Sequence, residues 1–294
     1  STDPGTCSAN INPGTATATD NCGSPTVTGT RSDGQALNAP YPKGTTTITW
    51  TATDASGNSS SCTQTITVND NEAPAITCPA NITHGTDPGT CSANINPGTA
   101  TATDNCDNPT VTGTRSDGQA LNAPYPRGTT TITWTATDSS GNSSSCTQTI
   151  TVNDTEAPTF TFTGTQSMWP PNHKYHTFGT TDLVTSIHDN CDGNIALSSA
   201  VIIKVTSDEV ENGNGDGNTL NDIVIAPDCK SVQLRSEREG GGNGRVYTIY
   251  FRVSDAAGNV GTASTTVVVR HNPGEPAVDS GPHYSVCCGG GTCP

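Results

Sequence analysis

The chain contains a nearly identical repeat, and this repeat constrains the fold more than any other feature. Residues 2–74 and residues 86–158 match at a fixed offset of 84 and differ at five of 73 positions. A period of this length is that of a small domain rather than of one solenoid turn. The chain of 294 residues is therefore predicted to hold two copies of one domain, with room for a third.

Each copy carries the alternating pattern of β-strands. The runs TTTITWTATD and SCTQTITVND alternate Thr with Ile, Trp or Val, as half-buried strands do. The segment DGQALNAPYPKG supplies Pro, Gly, Asp and Asn for turns. The pattern predicts an all-β, immunoglobulin-like sandwich of roughly seven short strands in each copy.

Cysteine usage indicates the compartment. Twelve cysteines occur in a chain with only 30% hydrophobic and 4% aromatic residues. Small domains with thin cores are commonly stabilised by disulfides, which persist in oxidising environments. We expect a secreted, extracellular or cell-surface protein, present as a processed, mature chain.

The charge and the motifs exclude several functions. A net charge of −15 offers nothing to neutralise phosphates, so nucleic-acid binding is not expected. No run approaches the ~18 apolar residues of a membrane helix, so membrane insertion is not expected. The sequence has no Gly-x-Ser-x-Gly elbow, phosphate loop or His-Glu-x-x-His helix, and we do not expect an enzyme.

Two regions resemble known families. The stretches APAITCPANI and YPRGTTTITWTATDSSGNSSSCTQTITVNDTEAP resemble the hyalin-repeat (HYR) family of extracellular immunoglobulin-like modules, and the resemblance covers about 1–158. Residues 159–270, with MWPPNHKYH, DNCDG, SDEVENGNGDGN and LRSEREGGGNGRVYTIYFRVSDAAGNVG, resemble an immunoglobulin-like module of secreted bacterial proteins. Both resemblances imply adhesion, matrix or surface-array roles, with contact to a surface glycan or matrix.

The domain plan follows from the repeat. The second copy is preceded by NEAPAITCPANITH (71–84), and nothing corresponding precedes the first copy. We expect an incomplete first repeat (1–72) that lacks its N-terminal strand, a complete second repeat (73–156), a third immunoglobulin-like domain (157–271) and a C-terminal tail (272–294).

The resemblance and the spacing suggest the disulfides. In modules of this family the cysteines of the first and last strands are bonded, which implies Cys78–Cys146. Three further pairs are expected from the remaining cysteines: Cys7–Cys22, Cys91–Cys106 and Cys191–Cys229. Cys62 is left without a partner, because that partner would lie on the missing first strand.

The tail HYSVCCGGGTCP is a candidate for the missing strand. Aligning YSVCC with PAITC places Val286 on Ile76 and Cys288 on Cys78, which predicts a Cys62–Cys288 bond. Cys287 would then bond Cys293, although a register that places Cys287 on Cys78, and loses the match of Val286, is the alternative.

Reach favours donation between molecules. The 18 residues from Arg270 to Cys288 span at most about 60 Å, whereas three domains in line measure roughly 90 Å. Head-to-tail donation to another copy would build an open homopolymer, an extracellular structural filament.

Three alternatives stay open at this point. The chain is a fragment of a longer adhesin or binding array, in which Cys62 bonds an ordinary upstream strand. It is a monomer with a free or shuffled thiol. Or it is a passive spacer fused to an enzyme outside this sequence.

Acidic turns suggest calcium as a cofactor. Hard cations take carboxylate and carbonyl oxygens, and the junction sequences NDNEAP and NDTEAP, the Asp-x-Ser-Gly-Asn turns and two loops of the third domain supply them. The candidate ligands are Asp54, Asp70, Glu72, Asp138, Asp154, Glu156, Asp189, Asp192 and Asp216. Four Asn-x-Ser/Thr sequons are candidate glycosylation sites, namely Asn58, Asn81, Asn142 and Asn153.

Overall fold

A computed structural model describes residues 1–211 and 219–290. The chain is nearly all β, as the alternating pattern predicts. It separates into two compact units, of which the first comprises Ser1–Ile82, Asn94–Pro124 and Thr129–Thr151, and the second comprises Thr83–Ala93, Tyr125–Gly128 and Val152–Pro294. This division runs through the second repeat, and the domain boundaries expected from the sequence stay a prediction.

Five strands form the first repeat, all of whose residues are described. They are β1 (Ser8–Ala9), β2 (Thr26–Arg31), β3 (Tyr41–Pro42), β4 (Gly44–Thr53) and β5 (Ser59–Val68). The antiparallel sheet has the order β2–β4–β5, and β1 pairs with β3. The count is below the predicted seven, in part because residues 17–19, whose equivalents 101–103 pair as a strand in the second repeat, form no strand here.

Alternation in β4 explains its burial. Thr46, Ile48 and Trp50 point into the core, while the intervening threonines are only partly covered. Gly29 in β2 lies opposite Trp50, and a Cβ on this glycine would approach the indole Cζ3 to 2.7 Å. The glycine in the middle of a strand is therefore needed for the tryptophan to pack.

A buried arginine shapes the DGQALNAP loop of the first repeat. The Arg31 guanidinium, fully covered, donates to the carbonyls of Ala36, Ala39 and Pro40 and pairs with Asp33 at 2.5 Å. It also lies 3.9 Å from the Tyr41 ring centroid. The side chain thereby satisfies loop carbonyls that the sheet leaves unpaired.

The second repeat contains additional strands. Its eight strands, in a repeat whose residues are all described, are β6 (Ala75–Thr77), β7 (Ile82–Gly85), β8 (Ser92–Ala93), β9 (Thr101–Thr103), β10 (Thr110–Arg115), β11 (Tyr125–Pro126), β12 (Gly128–Thr137) and β13 (Ser143–Asn153). In the first unit β6 pairs with β9, and β10 pairs with β12. The run at 71–84 thus supplies β6 and most of β7 to the second repeat.

The third domain lies in the second unit. Its described strands are β14 (Thr159–Phe162), β15 (Gln166–Met168), β16 (Tyr175–Gly179), β17 (Val184–Asp189), β18 (Gly193–Asn194), β19 (Val201–Ser207), β20 (Ile223–Ile225), β21 (Ser231–Arg235), β22 (Arg245–Ser254), β23 (Val260–Val269) and β24 (Tyr284–Cys287), with one short helix, α1 (Thr180–Leu183). The largest sheet has the order β15–β23–β22–β19–β24, beside the sheets β14–β17–β18 and β16–β21–β20.

The C-terminal tail belongs to this domain. Strand β24 pairs antiparallel with β19, and Val286 lies opposite Val205. Tyr284 and Val286 pack against the core of the domain. The expectation that the tail supplies a strand to a first repeat is therefore wrong in this structure, because its apolar residues and its backbone are already used at the edge of β19.

A buried ionic network lies in the third domain. The Arg245 side chain is fully covered and lies 2.5 Å from Asp222 and 3.0 Å from Glu209. Burial and a hydrogen bond with Glu237 raise the pKa of Asp222 to about 6 despite the adjacent guanidinium. Arg235 adds a second guanidinium, 3.6 Å from Asp222 and 3.8 Å from Glu237.

Candidate functional site

Disulfides join neighbouring modules through one repeated arrangement. Cys7 is bonded to Cys106 in the first unit, with a Cα–Cα distance of 4.6 Å. Cys91 is bonded to Cys191 in the second unit, at 4.7 Å. Cys7 and Cys91 are equivalent positions of the repeat, and Cys106 and Cys191 each end an Asp-Asn-Cys triplet. The same bond therefore connects an N-terminal loop of one module to the next module.

These bonds correct the expected short loops. The pairs Cys7–Cys22 and Cys91–Cys106 are wrong, because each N-terminal loop cysteine is bonded across a junction. The Asn side chain of the triplet explains the approach of the two segments. Asn105 Nδ2 donates to the Thr6 carbonyl at 2.8 Å, and Asn190 Nδ2 donates to the Thr90 carbonyl at 2.5 Å.

The third-domain pair is also different from the expected one. Cys191 is bonded to Cys91, and Cys229 is bonded to Cys288. The expected pairs Cys191–Cys229 and Cys62–Cys288 are therefore both wrong. Cys287 is disulfide-bonded, and its expected partner, Cys293, lies outside the described residues. The bond Cys78–Cys146, implied by the resemblance, is present.

Two thiols are free among the described residues. Cys22 and Cys62 are both exposed. Cys62 lies on β5 and lines an open cavity of about 260 Å³, together with Thr17, Thr19 and Trp50. The equivalent of this position in the second repeat, Cys146, is covered by the disulfide to Cys78.

Each junction pairs a basic side chain with carboxylates. Lys43 Nζ lies 2.5 Å from Asp107 and 3.7 Å from Asp70 in the first unit. Arg127, the equivalent of Lys43, lies 2.9 Å from Asp192 and 3.4 Å from Asp154 in the second unit. The hydrogen bond from Lys43 holds the pKa of Asp107 below its usual value.

Some candidate calcium ligands are used as local hydrogen-bond acceptors. Glu72 accepts from the Gly5 amide at 2.9 Å, and Glu156 accepts from the Gly89 amide at 2.8 Å. Asp54 accepts from the amide and side chain of Asn58 within its own turn. The hydrogen bond with the Ala256 amide and the pair with Arg127 hold the pKa of Asp192 below its usual value.

Other acidic residues do come together. The carboxylates of Asp154, Asp189 and Asp255 lie within 4.8 Å of one another in the second unit. Asp70, Asp104 and Cys106 form a second group in the first unit, but Cys106 is consumed in a disulfide. Asp138 accepts from Asn142 in its turn, and Asp216 lies outside the described residues. Calcium binding stays a prediction.

The sequons differ in their surroundings. Asn142 Nδ2 donates to the Asp70 carbonyl at 3.1 Å and to Asp138 at 2.8 Å, and Asn58 Nδ2 donates to Asp54 at 2.8 Å. Asn81 is exposed and accepts from the Thr149 amide. Asn153 is exposed at the end of β13. Glycosylation at any of them stays a prediction.

Sequence reasoning missed the junction residues that matter most in the structure. Asp104, Asp255, Lys43 and Arg127 were not selected. The signal was in the recurrence: Asp-Asn-Cys occurs at 20–22, 104–106 and 189–191, and the Asp-x-x-Gly-Asn turn occurs at 54–58, 138–142 and 255–259. Turns shared by all three modules point to the junctions between them.

The comparisons place the repeats in a family. The HYR domain model matches residues 1–68 and 69–152. The chain belongs to the HYR domain family. The hyalin of Strongylocentrotus purpuratus is 39% identical over 178 residues, which cover 58% of the chain and 12% of that protein. The chain thus spans a small part of the length of this HYR relative.

Structural similarity is weaker. The extracellular cadherin domains 1–5 of protocadherin gamma B2 align with a TM-score of 0.37 and 15% identity, covering 79% of the chain and 48% of that protein. The human desmocollin-1 ectodomain aligns with a TM-score of 0.29 and 15% identity, covering 83% and 55%. No helix among the described residues is long and apolar enough to cross a membrane. The HYR matches end at residue 152, so the bacterial-module resemblance of the third domain stays a prediction.

Proposed function

We propose that the chain is a load-bearing part of an extracellular adhesion-type protein, in which HYR modules are covalently joined side chain to side chain. The observation that carries this function is the repeated inter-module disulfide, Cys7–Cys106 followed by Cys91–Cys191. A protein that only positions domains needs a peptide linker, whereas a bond parallel to the linker resists extension.

The connectivity of the disulfides supports the proposal. The loops closed by Cys7–Cys106 and Cys91–Cys191 overlap between residues 91 and 106, and Cys229–Cys288 closes a third loop. A pulling force applied at the two ends therefore passes through only roughly 65 of the residues, about 220 Å when extended. The remaining residues are shielded from force as long as the bonds persist.

The family and the chemistry support an extracellular location. HYR domains and a hyalin relative are matched, and disulfides of this density persist in oxidising compartments. A surface glycan or matrix component is the partner class that we propose. No catalytic role is needed for this function.

Single-molecule force spectroscopy tests the load-bearing role. The whole chain is pulled from its termini, oxidised and then in the presence of a reductant. We expect an extension limited to about 220 Å when oxidised and to roughly 1,000 Å when reduced. An oxidised chain that extends to the fully reduced length contradicts the proposal.

A matched pair of variants locates the effect. Replacing Cys7 and Cys106 by Ser opens one loop and adds roughly 70 residues to the path, about 240 Å. Replacing the free Cys22 and Cys62 by Ser leaves the oxidised extension unchanged and also removes thiols that could exchange with the disulfides.

A further inference from the structure

Three carboxylates meet where the second repeat joins the third domain, inside the second unit. Asp154 follows β13, Asp189 ends β17 and Asp255 follows β22. One carboxylate oxygen from each lies within 4.8 Å of the others. Three distant parts of the sequence thus place like charges together, which is unfavourable unless something compensates them.

The three residues are almost fully buried. Asp154 is 7% exposed, Asp189 is 2% exposed and Asp255 is 9% exposed. Ionised carboxylates with so little water around them need paired charges or ligands.

Asp189 has an oxygen without a partner. Its Oδ1 accepts from the amides of Cys191 and Asp192, at 2.8 Å and 2.9 Å. Its Oδ2 is buried and has no hydrogen-bond partner, and the same is true of Oδ1 of the adjacent Asn190. An unsatisfied buried carboxylate oxygen beside two more carboxylates points to a ligand rather than to a hydrogen-bond network.

The remaining protein charge is not enough to neutralise the group. Arg127 lies 3.4 Å from Asp154, but it makes its shorter contact, 2.9 Å, with Asp192. Asp255 accepts both its hydrogen bonds from Asn259, which is neutral. Because Arg127 is shared between Asp154 and Asp192, it does not neutralise the three buried carboxylates, which keep a net negative charge.

We propose that Asp154, Asp189 and Asp255 bind a divalent cation, calcium, at this junction. Calcium takes oxygen ligands at 2.3–2.6 Å, so two of its ligand oxygens lie at most about 5 Å apart, and the 4.8 Å grouping satisfies that limit. The donor set contains only oxygens, whereas zinc sites in proteins almost always include nitrogen or sulfur ligands. The inference deepens the proposed function, since a bound ion would add a contact parallel to the Cys91–Cys191 bond.

The equivalent group in the first unit is less complete. Asp70 and Asp104 come together there, but the third member is Cys106, whose sulfur is bonded to Cys7. Lys43 lies 3.7 Å from Asp70. Asp104 Oδ1 and Asn105 Oδ1 are also buried without a hydrogen-bond partner, so the first junction shares the unsatisfied oxygens but groups only two carboxylates. The site is assigned to the second junction, where three carboxylates meet, and Asp104 provides a matched control because it occupies the same position as Asp189 in the Asp-Asn-Cys triplet.

Calorimetric titration with calcium chloride tests the site on the oxidised whole chain after chelator treatment. We expect one calcium per chain, an affinity at least tenfold weaker in D189N and an unchanged affinity in D104N. Asn at 189 keeps an oxygen for the amides of the turn while removing the charge. Loss of binding in D104N and not in D189N overturns the assignment.

A measurement without variants keeps the proposal testable if D189N does not fold. The thermal unfolding midpoint of the wild-type chain is compared in calcium, in magnesium and in chelator. We expect a rise in calcium that magnesium does not match. The proposal is overturned if about 10 mM calcium, well above the dissociation constants of extracellular sites, produces no heat of binding and no shift in the unfolding midpoint. The extension measured by force spectroscopy depends on the disulfides and not on calcium. A failure of calcium binding therefore leaves the test of the load-bearing function unaffected.

Discussion

Cys91 is bonded to Cys191 across 100 residues, and Cys7 is bonded to Cys106 across 99. The two bonds start at equivalent positions of the repeat and end at the same tripeptide. An arrangement that recurs in this way is a property of the junction and not of a single module. The stability of neighbouring modules should therefore depend on these bonds together.

The first prediction concerns the Cys91–Cys191 bond. Replacing both cysteines by Ser removes a cross-link that closes a loop of about 100 residues, and we expect a loss of about 3 kcal/mol in the free energy of unfolding. Denaturant unfolding under non-reducing conditions measures it. The control is C22S, whose thiol is exposed and unbonded; a loss of similar size in C22S would show that the effect is not due to the bond.

The second prediction uses the difference between the repeats. Trp134 donates to Gln148, whose amide donates in turn to the carbonyls of Ala80 and Pro97, and Gln148 is fully buried. Replacing it with Ala leaves several buried polar groups without hydrogen-bond partners, so we expect a loss of about 3 kcal/mol in the free energy of unfolding.

Q64A in the first repeat is the matched control for Q148A. Gln64 accepts from Trp50 at 2.9 Å and donates to the Pro13 carbonyl at 3.0 Å, but it is only half-buried. Water can replace its contacts, so we expect a loss of about 1 kcal/mol. Chemical denaturation of both variants decides the matter, and an equal loss in the two would show that the leading strand adds nothing at this position.

The third prediction concerns the two exposed thiols. Among the described residues, a maleimide should modify two thiols of the native oxidised chain, Cys22 and Cys62, because exposed thiols react readily. C62S should carry one adduct fewer than the wild type, and the double variant C22S/C62S two fewer. Intact mass spectrometry counts the adducts, and an unreactive wild type would mean that these cysteines are bonded.

The sequence predicts the strands of the repeats but not the partners of the cysteines. The alternation of TTTITWTATD and the 84-residue repeat predict the strands and their copies, because local patterns set which face of a strand is buried. The disulfide partners depend on how the modules contact each other, and no local sequence pattern encodes those contacts. The expectation of short loops such as Cys7–Cys22 is therefore wrong. The alternating pattern in the tail correctly predicts a strand that contains Val286, but this strand pairs with its own domain, where Val286 lies opposite Val205.

The fourth prediction concerns Arg245. Its guanidinium is fully covered and pairs with Asp222 and Glu209. Replacing it with Ala removes the closest cation from these buried carboxylates and leaves only the longer contact of Arg235 with Asp222, so we expect a loss of about 4 kcal/mol. R252A is the control, since Arg252 is exposed on the same strand, and its effect should stay within about 0.5 kcal/mol. Thermal and denaturant unfolding of the two variants measure the difference; equal effects contradict the role of burial.

The fifth prediction concerns the pH dependence set by Asp222. Burial and the hydrogen bond with Glu237 raise its pKa to about 6 from an ordinary value of 3.8. The folded chain therefore holds this proton more tightly than the unfolded chain does, and the resulting stability is fully present below about pH 4 and is lost as the pH rises through 6. We expect the slope of unfolding midpoint against pH between these values to be more positive in D222N than in the wild type, since the variant lacks the group whose titration lowers stability there. Measuring both proteins at the same ionic strength isolates this contribution, and parallel curves for the two would mean that Asp222 is already ionised at pH 4 because Arg245 outweighs its burial.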